Sequence, residues 1–218
     1  MARPSRIGLH GPMAILPMFP LGMVLFPHMP LRLRVFEQRY LVMLSTLLQS
    51  DHAEFGVVLI ERGQEVGGGE QRFGIGTVAE ITTLGTQDGF IGLLAQGRTR
   101  ISIDAWLDDD PHPRAEVSPV PELIWDEQWR ALLVSAERSV RRSLAMSSEF
   151  SELTWPADIG IEGDPVATAW QLAGVAPIGP LDQVGLLAST SAEELLVGLT
   201  EVCDGISSDL SAPWPDVN

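Results

Sequence analysis

The chain has 218 residues, 45% hydrophobic and 20% charged, a globular balance that argues against wholesale disorder and lets about 70% of the unfolded surface be buried. All fourteen basic residues are arginines, set against 29 acids, and the formal net charge of −15 repels a polyanion, so DNA and RNA are not expected partners. The most apolar stretch, Met13 to Leu33, is cut by Pro17, Pro20, Pro27 and Pro30 and carries His28 and Arg32. A spanning helix needs about 20 uninterrupted apolar residues, so no membrane partner is expected either.

Residues 1–13 hold two arginines but no apolar core ahead of a small-residue cleavage site, and they read as a disordered extension rather than a secretory signal. With Cys203 as the one cysteine, no intramolecular disulfide can form, and the expected compartment is the cytoplasm. Residues 14–121 fall into short β-like runs broken by Gly, Pro and Asp: Phe55 to Ile60, Gly76 to Leu84, Phe90 to Ala95, Thr99 to Leu107 and Arg114 to Val120. Ile101, Ile103 and Ala105 alternate with Arg100, Ser102 and Asp104, the period of a half-buried strand. Prolines 17, 20, 27 and 30 confine the first strands to edges or bulges. A helix is predicted from about Phe36 to Gln49, with Tyr40, Met43, Leu44, Leu47 and Leu48 as its apolar stripe. Gly67-Gly68-Gly69 reads as a loop tip, and Gln87-Asp88-Gly89 as a hairpin turn, since Asp-Gly tolerates positive φ.

Past Pro121 the period becomes helical and the charge changes. Ten arginines face thirteen acids up to Pro121, net −3, and four face sixteen after it, net −12. Trp125, Trp129, Leu132, Leu133, Ala136, Val140 and Leu144 form one face of a long amphipathic helix, with Asp126–Arg130 and Glu137–Arg141 as exposed pairs four residues apart. Asp164-Pro165 is a cap followed by proline at the first helical position. Ser191 and Glu194 form a capping box for a last helix with Leu195, Leu199, Val202, Cys203 and Ile206 inward. Asp204-Gly205 suggests fraying, so the helical region is set at 122–207 and a loose tail at 208–218.

Catalytic machinery is hard to find. Without lysine there can be no Schiff base, no Ser-Lys dyad and no P-loop. His10, His28, His52 and His112 lie far apart without metal-ligand spacing, and neither metal nor cofactor is expected. Gly74-Ile75-Gly76-Thr77-Val78-Ala79 matches G-x-G-x-x-A, but Val78 to Thr83 continue as strand where a dinucleotide site needs a helix. Asp108-Asp109-Asp110 reads as a solvated acidic loop, and Cys203 as a small buried hydrophobe.

Leu16-Pro17-Met18-Phe19-Pro20-Leu21, Val24-Leu25-Phe26-Pro27, and Pro30 to Val35 running into Phe36-Glu37-Gln38-Arg39-Tyr40 together resemble the opening of the Lon protease N-terminal, substrate-binding domain. Gly76-Thr77-Val78-Ala79 resembles that family's G-T-hydrophobic-A strand, and Gly97-Arg98-Thr99-Arg100-Ile101 its G-x-x-R-hydrophobic strand. The helical region is similar more loosely, through Ala169 to Ala173 and Leu181 to Leu187; the family's Lys-Gln pair is here Asp182-Gln183, and its following acid Ala188. The resemblance implies an α+β fold: a PUA-like β pseudo-barrel with one inserted helix, followed by a C-terminal helical bundle. It implies a non-catalytic module that binds proteins or peptides, a free-standing bacterial member without the ATPase and Ser-Lys peptidase domains of Lon.

The leading expectation is a binding surface for hydrophobic segments of unfolded or tagged proteins, in a groove between barrel and bundle, acting with a protease or other protein machinery. Its candidate contacts are Phe26, Met29, Phe36, Arg39, Tyr40 and Trp106. The alternatives are an adaptor docking a basic partner through the acidic helical half, and an enzyme with an unrecognised site.

Overall fold

The computed structural model describes residues 13–49, 53–60, 72–87 and 89–211. His10, His52, the Gly67–Gly69 run and Asp88 of the expected turn lie outside the described residues, as do residues 212–218 of the expected tail. The chain forms two compact units, Met1–Glu122 and Leu123–Asn218.

Unit 1 contains β1 (Ala14–Leu21), β2 (Pro30–Val35), α1 (Gln38–Leu47), β3 (Glu54–Ile60), β4 (Arg72–Gln87), β5 (Phe90–Leu107) and β6 (Arg114–Pro119). The strands lie in the order β2-β5-β4-β3-β1-β6, and β6 pairs again with β5. Five strands therefore close a ring, and β2 hangs outside it with one partner. This closure depends on the length of β5: Ile91 to Gln96 pairs with β2, and Ile101 to Leu107 pairs with β6.

The prolines of β1 are accommodated by a change of neighbour. Ala14 to Pro17 is in register with β6 and Met18 to Leu21 with β3, in parallel, so each half of the strand is laddered on one side. A residue without an N–H is tolerated on the other side. Pro30 opens β2, the edge strand, where the same reasoning applies.

Within the ring, Met18, Val58, Val78, Ile101, Ala115 and Val117 form a buried cluster, with Leu16, Phe73, Ile103 and Trp106 packed against it. The alternation expected along β5 breaks. A register shift lies between Ile103 and Ala105, so Ala105 turns outward and Trp106 inward. Arg100, expected at the surface, is 4% exposed, and its Nη2 donates to the Pro121 carbonyl at 2.8 Å. A buried guanidinium is tolerated when its donors are satisfied.

Unit 2 contains a 3-10 turn (Glu127–Trp129), α2 (Arg130–Ser147), α3 (Pro165–Val175), α4 (Pro180–Leu187) and α5 (Ala192–Ser211). The long helix starts later than expected, because Asp126 caps the 3-10 turn through Gln128 N at 3.0 Å. Trp125 thus lies before the helix, edge-on to Trp129, and Arg130 pairs with Glu127 instead of Asp126. The Glu137–Arg141 pair forms, and Arg141 Nη1 also holds the Ala157 and Ile159 carbonyls. Asp164 Oδ1 accepts from Val166 N and Ala167 N, both at 2.9 Å, the expected cap of α3.

Helices α2 and α5 bury Leu133, Ala136, Val140 and Leu144 on one, and Leu195, Leu199 and Cys203 on the other. Polar contacts cross the same seam: Ser139 Oγ donates to Asp204 Oδ1 at 2.8 Å and Ser143 Oγ to the Cys203 carbonyl at 2.7 Å. They explain why α5 does not fray at Asp204-Gly205 and instead runs to Ser211, with Ser207 buried against Ser143. Glu194 N donates to Ser191 Oγ, while the Glu194 carboxylate accepts from Thr190 N and Oγ1. Among the described residues, no helix is long and apolar enough to cross a membrane.

Candidate peptide-binding surface

The conspicuous motifs of unit 1 converge where β2 turns into α1. Leu25-Phe26-Pro27-His28 makes a tight turn in which His28 has φ 64° and Met29 N donates to the Phe26 carbonyl at 3.2 Å. That turn is seated on β5: His28 N donates to the Gly97 carbonyl and Gly97 N to the Met29 carbonyl, both at 2.9 Å. Gly97 must be glycine for this approach, since a Cβ there would collide with the Phe26 carbonyl oxygen. From the other side, Thr77 Oγ1 donates to the Leu25 carbonyl at 2.6 Å. The G-T-hydrophobic-A and G-x-x-R strands are therefore the seat on which the Phe-Pro turn rests.

From that anchored turn β2 leads to Phe36-Glu37-Gln38-Arg39-Tyr40. Glu37 is extended, φ −71° and ψ 133°, and its carbonyl accepts from Tyr40 N and Leu41 N as α1 begins. Its carboxylate does not cap the helix but accepts from Arg39 Nε at 3.0 Å. The acid that pairs with Arg39 is thus two positions away in sequence, and the guanidinium lies 4.7 Å from the centre of the Tyr40 ring. Tyr40 itself stacks on Phe19 at 3.9 Å, and Phe55 closes the aromatic cluster. Burial raises the Tyr40 phenol above its ordinary pKa, with Arg39 opposing the shift.

The six candidate contacts divide by exposure. Phe26 at 1%, Met29 at 7% and Tyr40 at 4% belong to the core, where they hold the corner rather than present a surface. Trp106 is half-buried, with the Arg72 guanidinium 4.2 Å from its ring centre. Phe36 is 68% exposed, and the Arg39 side chain, three residues on, is also at the surface. The Tyr40 ring is taken by Phe19, and Phe36 points outward.

A model of the ATP-dependent protease La (LON) substrate-binding domain matches residues 15–203. The chain belongs to that family. A Lon protease of Cytophaga hutchinsonii is 29% identical over 161 residues, 71% of this chain and 20% of the relative. Lon protease 2 of Herpetosiphon aurantiacus is 27% identical over 194 residues, 86% of this chain and 23% of the relative. The chain thus spans about a fifth of the length of these relatives. Among solved structures, a Lon N-terminal domain protein from Xanthomonas campestris superposes with a TM-score of 0.59 at 25% identity, covering 84% of this chain and 98% of that one. The N-terminal domain of a Mycobacterium avium complex Lon protease gives 0.62 at 17% identity, covering 88% and 98%, and shares the fold.

In this chain the motifs of unit 1 thus mainly hold the corner together. Sequence reasoning marked Thr77, Gly97 and Arg100 as motif residues but not their role: each is fixed by a backbone partner far away in sequence. It also passed over Arg32 and Arg34, whose alternation with Leu31, Leu33 and Val35 was the available signal. Among the described residues no three His, Cys, Asp or Glu gather as metal ligands. In unit 2, a shallow depression is lined by Arg142, Met146, Asp204, Ser207, Ser208 and Ser211. The Ser207 hydroxyl there donates to the Cys203 carbonyl, which commits it to structure.

Proposed function

We propose that this chain is a non-catalytic module that binds protein segments, with Phe36 and Arg39 as its contact residues and Phe26, Met29, Tyr40 and Trp106 as the frame behind them. We further read the closed strand ring as a PUA-like pseudo-barrel and unit 2 as a helical bundle. The observation that carries the functional reading is the exposed Phe36 at a corner whose neighbours are fixed on both sides. An aromatic side chain held out by a rigid frame loses little freedom when a partner covers it. The module works in the cytoplasm on unfolded or tagged proteins, alongside a protease or other protein machinery, and needs no cofactor. Purified protein should capture unfolded but not native model proteins, with little loss at high salt, and Phe36→Ala should weaken capture while leaving the fold intact. Equal capture of native and unfolded proteins, or none of either, would defeat this reading.

A second reading rests on the charge of the region after Pro121, four arginines against sixteen acids. An adaptor docking a basic partner through that surface would lose affinity steeply with salt, because exposed charges are screened over about 8–10 Å near physiological ionic strength. Salt dependence therefore separates the two.

A further inference from the structure

Strand β2 leaves one edge open along its whole length. It pairs with β5 on one side, and no other described strand lies on its outer side. Open edges are templates for another strand, and proteins blunt them with proline and charge. Pro30 blunts the first residue of β2, but of the following five the alternate residues whose N–H is turned away from β5 can donate.

The two faces of β2 differ. Leu31 and Val35 are buried and Leu33 half-buried on one face, while Arg32 and Arg34 are exposed on the other. Neither arginine has an acidic partner among the described residues; Arg34 instead lies 5.3 Å from the centre of the Phe90 ring. By contrast, Arg39, Arg72 and Arg98 of the same unit each face an acid. Following the register outward from β2, Arg32 faces Leu94 and then Thr83, and Arg34 faces Gly92 and then Gly85. No acid lies in either row. Both glycines leave open space above the sheet: a Cβ on Gly85 would meet nothing within 4 Å, and one on Gly92 only the Gly85 carbonyl oxygen at 3.5 Å. Two cations with no acidic partner among the described residues thus border bare backbone on an open edge, in a chain whose net charge is −15.

We propose that β2 accepts an extended segment of a partner protein as an added strand, and that the segment alternates acidic and apolar side chains. Backbone bonds to β2 supply the pairing, as in other strand-addition complexes. The alternate acids fall on the Arg32–Arg34 face, and the intervening apolar side chains fall on the face of Leu31, Leu33 and Val35. Opposite charges on neighbouring strands are favourable and like charges are not, so the arginines select against basic segments. The residues up to Pro121 carry a net charge of only −3, and screening at physiological salt leaves the local arginines in control. The outer edge of β4 beyond Glu80, where β3 stops pairing, offers threonines and no cation, so it lacks this selectivity. This proposal rests on the protein-binding reading above and gives it a second contact besides Phe36.

The test is fluorescence anisotropy with a labelled octapeptide alternating Glu and Val, against the full chain. Three controls accompany it: the same composition with its glutamates in one block, an alternating Arg–Val peptide, and the Glu–Val peptide N-methylated at every second amide. The alternating acidic peptide should bind, the three controls should not, and amide exchange at Leu31 to Val35 should slow on binding. Charge reversal by Arg32→Glu with Arg34→Glu should weaken binding roughly tenfold or more, and Arg32→Gln with Arg34→Gln by less. Absence of binding, equal binding of the blocked or N-methylated peptide, or indifference to both double variants would overturn the proposal. Capture of unfolded protein that persists and depends on Phe36 in such a case leaves the binding-module reading intact; loss of both would end both.

Discussion

Gly97 tests whether the Phe-Pro turn is held as described. A methyl group at this position would collide with the Phe26 carbonyl oxygen and approach its carbon at 3.0 Å and Leu25 Cγ at 3.2 Å. Backbone cannot move aside like a flexible side chain, so Gly97→Ala forces the turn off β5 and breaks its two hydrogen bonds. Each is worth about 1 kcal/mol, and partial exposure of Phe26 and Met29 adds about 1–2 kcal/mol. The restricted unfolded chain returns up to about 1 kcal/mol, so the net loss is about 2–3 kcal/mol. Gly85→Ala is the control, because its Cβ meets nothing and the change should be neutral or slightly stabilising. Urea denaturation with peptide-resolved hydrogen exchange reports unit 1 separately from unit 2. If Gly97→Ala proved no more costly than Gly85→Ala, the reading of Gly97 as the seat of the turn would be wrong.

At the same corner, Tyr40→Ala removes the partner of Phe19 and should cost about 3 kcal/mol, whereas Phe36→Ala should stay within about 0.5 kcal/mol in thermal denaturation. Asp164→Ala strips the two-bond cap of α3 and should cost unit 2 about 1 kcal/mol in the same assay. Cys203 is buried and its thiol is pushed from 9.0 up to about 11, so a disulfide reagent at pH 8 should label it only when urea unfolds the chain. A raised folded-state pKa favours the neutral thiol, so its contribution is full below pH 9 and fades as the pH rises through about 11. That alkaline decline in unit 2 should be absent from Cys203→Ala.

The local signals were read at short range and mostly held there. Alternation gave the strands, the three-to-four spacing gave α2 and α5, and Asp164-Pro165 marked the start of α3 because a cap and its helix are adjacent in sequence. Errors arose where two short-range options compete. Asp126 was free to pair with Arg130 or to cap a turn, and it caps.

What the sequence determined by itself was the family, the β-then-helix order and the residues that must be apolar, since each is written in composition, period and adjacent motif. The tertiary structure decided which aromatic residues face outward, why Gly97 and Thr77 are needed, that Arg100 is buried, and that β2 keeps an open edge with two arginines that meet no acid among the described residues. Those outcomes depend on which distant carbonyl or ring comes within a few ångströms, and local residue spacing does not specify a distance across the fold.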